Sequence, residues 1–261
     1  MVGKLMKHEL HALFRILLFF AVAVLVLAVA GRILIQVAFA GGSESTPLES
    51  LTIFVMMFYI MAISAFALVA YVLGINRFYR TLFTGEGYMT LSLPATATQL
   101  IWAKLLSALI GVFFASAVSG LSLVIFLVGW DAETMQAITE VFGFMANGLS
   151  MLAQAEPLLF FEGIVLSLVS LPMGLLVIFA IISLGQLFTS HRKLATFIIF
   201  IGLYFVVNSV SSMLLVTIVE FIINVSPHLI MWLFIIIFAG IDVGCFFLIR
   251  YILRNKVNLI A

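Results

Sequence analysis

Two carboxylates, Glu162 and Asp242, stand inside apolar runs of this 261-residue chain, where an ionised group demands a chemical reason. A carboxylate in hydrocarbon costs at least about 2.5 kcal/mol, so such groups face a cavity, an ion or proton, or a hydrogen-bonding partner. Asp242 falls in the inner half of its run, about 12 Å along a helix from Arg250. It is expected either to line a substrate path or take up a proton, or to hydrogen-bond across a helix interface. Glu162 falls slightly over one turn inside the outer end of its run, where a helix N-terminus favours negative charge and an interfacial position suffices to explain it. Asn208, with Ser209, Ser211 and Ser212, makes a polar patch suited to interhelical bonding or to a lumen. Asp242, Glu162 and Asn208 are the candidate residues of a translocation path.

Other chemistry is poorly represented. His8-Glu9-Leu10-His11 has its histidines three apart, whereas a zinc-protease helix needs them four apart to share a face. No Ser/His/Asp set and no Glu paired with His and Asn across the apolar runs is visible, so the chain is not expected to be an enzyme. It has no G-x-x-x-x-G-K-[ST], and Gly85-Glu86-Gly87 lacks the lysine and the preceding strand of a phosphate loop. The chain is expected to bind no metal and no cofactor of its own. Cys245 is the single cysteine, which excludes an intrachain disulfide. A net charge of +1 without a basic cluster argues against a nucleic-acid partner.

The elements that position these residues follow from composition. With 65% hydrophobic and 9% charged residues, the apolar positions arrive in runs too long for a water-soluble core. They lack the alternation of barrel strands, so the expected class is all-α, a polytopic membrane protein. Six spans are expected, at about Phe14–Ile35, Leu51–Ile75, Leu105–Trp130, Pro157–Leu187, Leu194–Ile218 and Leu229–Tyr251, in a single domain over residues 1–261. The first run has no small-residue cleavage site and is read as a span rather than a leader. Pro172 predicts a kink or tilt in the fourth. Lys and Arg are retained on the cytoplasmic side of a membrane, and eleven of the twelve here fall on one side of this arrangement. Both termini are therefore expected in the cytoplasm. Arg32, the exception, reaches the outer headgroups by snorkelling.

Two amphipathic segments flank the spans. Leu5, Met6, Leu10, Leu13 and Phe14 share a helical face before the first span, which predicts a helix in the inner interface. Met135, Ile138, Phe142, Met145, Leu149 and Leu152 recur every three or four residues and predict an outer amphipathic helix over 131–156. Gly240-x-x-x-Gly244 and the ridge Gly111, Ala115, Ser119 predict close helix packing, within the chain or between two copies. No internal repeat is visible, which disfavours an inverted-repeat carrier.

The cytoplasmic segment over 76–104, NRFYRTLFTGEGYMTLSLPATATQLIWAK, is longer than a connection between two helices needs. Thr84 to Gly87 reads as a turn, and Leu93-Pro94 followed by Ala95 to Thr98 reads as the start of a helix running into the third span.

With KHEL at Lys7 to Leu10, FYRTLFTGEGYMTLSLPA at Phe78 to Ala95, WAKLLSAL at Trp102 to Leu109 and six expected spans, the chain resembles the permease subunits of bacterial ABC-2 type ABC transporters. The resemblance covers nearly the whole chain. It implies a multi-pass exporter subunit of the bacterial plasma membrane, and an interfacial elbow helix at about Val2 to Leu13. It also implies a coupling helix within Asn76 to Lys104 that docks on a separate ATP-binding subunit. The coupling residues it implies are Arg77, Arg80, Phe83, Gly85, Glu86, Gly87, Tyr88 and Pro94, with Phe83 to Tyr88 the expected contact. ATP and Mg would sit on the partner ATPase, and a second permease copy or homologue would complete the membrane part. The chain departs from the family pattern in having only about ten residues, Val219 to His228, where relatives carry re-entrant helices. A membrane sensor or assembly scaffold, and an ion-coupled carrier using Asp242, are the alternatives the residues leave open.

Overall fold

The computed structural model describes residues 2–40, 46–84, 95–127, 132–188, 194–205, 209 and 226–255. Seven helices occur among them: α1 Val2–Ala40, α2 Thr46–Phe83, α3 Ala97–Leu127, α4 Ala132–Ala155, α5 Pro157–Gly185, α6 Leu194–Phe205 and α7 Pro227–Asn255. The described residues contain no strand. Five of these helices, α1, α2, α3, α5 and α7, are long and apolar enough to cross a membrane. Their outward faces carry large apolar side chains such as Phe19, Phe54, Met61, Phe161 and Ile236, all exposed. Surfaces of that kind are stable only against lipid, and the chain is a multi-pass helical membrane protein.

The helices run further than hydropathy predicts. The elbow expected at Val2–Leu13 is not a separate element but the opening of one uninterrupted helix, α1. The reason is local: no glycine or proline lies between Gly3 and Gly31 to end the hydrogen-bond ladder. The 29-residue connection over 76–104 is likewise invaded from both ends. Helix α2 continues to Phe83, and α3 begins at Ala97, leaving residues 84–96 between them. Phe78, Leu82 and Phe83 are buried, and that burial carries the helix past the apolar span. The start of α3 is set by a capping box: Gln99 N–H donates to Thr96 Oγ1 at 3.3 Å, and Thr96 N–H donates to Gln99 Oε1 at 3.2 Å. The predicted helix start after Pro94 is therefore observed. The outer segment expected over 131–156 is α4, and the fourth span is α5, both close to their predicted bounds. Helix α6 covers the first part of the fifth expected span.

The chain divides into two compact units, with boundaries inside α1, α2, α3 and α4. One unit comprises Lys4–Gly74 and Leu106–Gly148. Its core is a ridge on α1, Leu13, Leu17, Ala21, Val24, Ala28 and Ile35, packed with Tyr59, Phe66 and Ala70 of α2 and Ala115 and Phe126 of α3. Small residues bring the helices close. A Cβ on Gly31 would lie 2.6 Å from the Phe126 ring, and one on Gly74 would lie 2.9 Å from Ala108 Cβ. Tyr59 stacks on Phe126 with centroids 4.3 Å apart, and its hydroxyl donates to Ser122 Oγ at 3.0 Å.

The other unit comprises Met1–Gly3, Ile75–Leu105 and Leu149–Ala261. Within it α5 and α7 pack along each other. Leu175, Leu176 and Phe179 of α5 and Ile249, Ile252 and Leu253 of α7 are buried, as are Phe78 and Leu82 of α2 and Leu100 and Ile101 of α3.

Candidate functional site

Helices α5 and α7 begin alike, each with a proline in its first turn: Glu156-Pro157 and Ser226-Pro227. Proline suits that place because its missing N–H has no intrahelical acceptor there and its φ is already helical. Each N-terminus also concentrates partial positive charge from unpaired N–H groups, which favours nearby carboxylates.

The two N-terminal ends meet through side chains. His228, the second residue of α7, sets its Nδ1 3.0 Å from Oε2 of Glu162 on α5. Glu162 is fully buried, with 0% of its surface exposed. Its other oxygen, Oε1, has no hydrogen-bond partner among the described residues. On the far side of the ring, His228 Nε2 lies 4.0 Å from Oε2 of Glu156, whose side chain is 59% exposed. One imidazole thus stands between a sealed carboxyl group and an open one. At 3.0 Å a nitrogen and a carboxyl oxygen must share a hydrogen, donated either by Nδ1–H to the carboxylate or by the carboxylic acid to bare Nδ1. The arrangement therefore holds a proton at a stated place, and a ring with two nitrogens is suited to passing one.

The opposite ends of the same helices carry a different cluster. Phe78, near the end of α2, stacks on Phe179 of α5 with centroids 3.9 Å apart and planes 3° from parallel. Phe83 packs edge-on to Phe78 at 5.9 Å, and Trp102 at the start of α3 lies 5.6 Å from Phe246 of α7. The last turns of α2 are tightened by hydroxyls that donate back to the chain, Thr81 to the Arg77 carbonyl and Thr84 to the Arg80 carbonyl. The junction between α2 and α3 is thus keyed by aromatic rings to both α5 and α7.

The predicted site residues separate accordingly. Arg77, Arg80 and Phe83 belong to the end of α2, with Phe83 buried inside the chain. Gly85, Glu86, Gly87, Tyr88 and Pro94 lie outside the described residues, as does Asn208. Glu162 is buried in the protein and paired with His228, rather than placed at an open interface. Asp242 is half-buried, with Oδ1 enclosed and without a hydrogen-bond partner among the described residues. It is fourteen residues beyond His228, about 21 Å along α7, so the structure does not bring it together with Glu162. The two small-residue motifs also differ. A Cβ on Gly111 would meet Leu17 at 3.4 Å, whereas one on Gly240 or Gly244 would meet nothing within 4 Å.

His228 is the functional candidate that sequence reasoning missed. The available signal was the repeated proline-led helix start, which places Glu156 and His228 at equivalent ends of two spans. Among the described residues no group of three or more His, Cys, Asp and Glu side chains is placed to hold a metal. No family model, curated protein or solved structure matches the chain.

Proposed function

We propose that this protein is the transmembrane permease subunit of an ATP-binding-cassette exporter of the bacterial plasma membrane, driven by a separate cytoplasmic ATPase. The observation that carries the reading is the Phe78–Phe179 stack at 3.9 Å, together with the separate Trp102–Phe246 contact at 5.6 Å. A partner that pushes on the α2–α3 junction would move α5 and α7 with it, because close-packed rings transmit displacement rather than absorb it. The basic residues Arg77 and Arg80 precede that junction, and in this reading the segment Gly85 to Tyr88 with Pro94 is what the ATPase recognises. Phe83, buried against Phe78, passes motion inward.

Six crossings with both termini in the cytoplasm fit this role. The pairing of His228 with Glu162 joins the N-terminal ends of α5 and α7, so the two helices run parallel. A parallel pair calls for a return between the two helices, and Gly185 lies so close to Thr196 that a Cβ would overlap it, which supports such a return beginning at α6. Five helices long enough to cross, with a return between α5 and α7, are what support a count of six. The retention of Lys and Arg on the cytoplasmic side assigns the ends. In this reading ATP with Mg binds the partner, a second permease copy or homologue completes the path, and the cargo is a peptide, lipid or hydrophobic compound.

Co-purification tests it. A stoichiometric ATPase should accompany the full-length chain and be lost when Phe83 to Tyr88 is scrambled; a stable protein without partners would favour a sensor or scaffold. The enclosed Oδ1 of Asp242, without a partner among the described residues, favours a second reading, an ion-coupled carrier. Transport that persists without ATP and fails in Asp242→Asn would select it.

A further inference from the structure

We propose that Glu162 is a proton-binding site, loaded from the solution at the end of the membrane where α5 and α7 begin, with His228 as the relay and Glu156 as the exposed collector. Three observations converge. The Glu162 side chain is completely buried, so water does not reach it directly. Its Oε1 has no partner among the described residues, so the carboxylate form has the His228 bond at Oε2 and none at its other oxygen. The ring of His228 touches it at 3.0 Å through one nitrogen and presents the other nitrogen 4.0 Å from a carboxylate that faces solvent.

The step balances. His228 Nδ1–H passes its proton to Oε2 of ionised Glu162, while Nε2 accepts a proton from a hydronium ion, which becomes water. The imidazole changes tautomer and keeps its charge, and Glu162 becomes a neutral carboxylic acid. Glu156 places an exposed carboxyl oxygen 4.0 Å from Nε2, on the side where the incoming proton arrives. Along the elements that lead into the pair, the described residues add no further titratable side chain beyond Glu156: Leu149–Ala155, the last turns of α4, has none. The first turns of α5 add only Glu156, and α7 carries none between His228 and Asp242. The inference needs no ATPase and stands apart from the transport reading.

Infrared spectroscopy tests it on the full-length protein in lipid nanodiscs. A step to acid should raise the carbonyl stretch of a protonated carboxylic acid. The band should be missing in Glu162→Gln, which separates it from Asp242. In His228→Leu it should form at least about tenfold more slowly, the loss expected when a positioned proton carrier is removed. His228→Gln keeps a polar side chain but has no second ring nitrogen to relay through, and it should be slowed as well. Melting curves identify any variant that has not folded, and either substitution suffices. A band that forms at the wild-type rate in a folded His228 variant overturns the relay. The absence of any Glu162-dependent band overturns the site.

Discussion

The Nδ1 of His228 lies 3.0 Å from the carboxyl group of a completely buried Glu162, sixty-six positions away in the chain. That contact aligns two parallel helices at their N-terminal ends, and removing one partner strands the other. His228→Ala is expected to destabilise the protein by about 2–4 kcal/mol, because a buried carboxyl then has no partner. Replacing both residues with leucine should restore much of the loss. Thermal unfolding of the single and double variants measures the coupling; strictly additive losses would rule out a direct pair.

The ring stack at the other end of α5 makes a different prediction. Phe179→Ala removes a fully buried ring from Phe78 and should cost about 3–5 kcal/mol, read by melting. Phe179→Leu keeps apolar volume and should fold. If the junction transmits motion, that milder variant should still retain the ATPase on co-purification while transport falls. Equal retention of both activities would argue that the stack is only structural.

Glycines sort by what surrounds them. Gly74→Ala places a methyl group about 2.9 Å from Ala108 Cβ and should destabilise by about 1–3 kcal/mol. Gly240→Ala and Gly244→Ala meet nothing within 4 Å and should leave the isolated chain unharmed. A melting comparison in detergent checks the contrast.

The reciprocal bonds of Thr96 and Gln99 predict that Thr96→Ala weakens the start of α3 by about 1 kcal/mol. Faster amide exchange confined to the first turn of α3 would register it, and unchanged exchange there would count against the cap.

Topology is testable with the single native cysteine removed. In a Cys245→Ala background, Lys7→Cys and Asn255→Cys should react with an impermeant thiol reagent only from the cytoplasmic face, and Glu140→Cys only from outside. Labelling of Lys7→Cys and Asn255→Cys from opposite faces would reject an even number of crossings.

Apolar runs about twenty residues long, Pro157 before one of them and the heptad-like recurrence from Met135 to Leu152 made α5 and α4 legible almost to their ends. These signals are local, since a helix in lipid must satisfy its own backbone whatever surrounds it. The continuation of α2 to Phe83 was not legible, because Asn76, Arg77 and Arg80 interrupt the hydropathy while Phe78 and Leu82 are recruited by rings and aliphatic groups distant in sequence. The elbow expected at Val2–Leu13 merged with α1 for a different, local reason: no glycine or proline lies between Gly3 and Gly31 to end the helix.

By itself the sequence determined that this chain crosses a membrane as helices, where most of those helices lie, and which carboxylates are costly there. Burial cost and backbone satisfaction depend on residue type and run length, and both are written locally. Only the tertiary structure decided that Glu162 is sealed, that its partner is His228 and that Asp242 stands apart from it. Those facts depend on which helix faces which, and in lipid that choice is made by packing and hydrogen bonding between distant segments rather than by hydrophobicity.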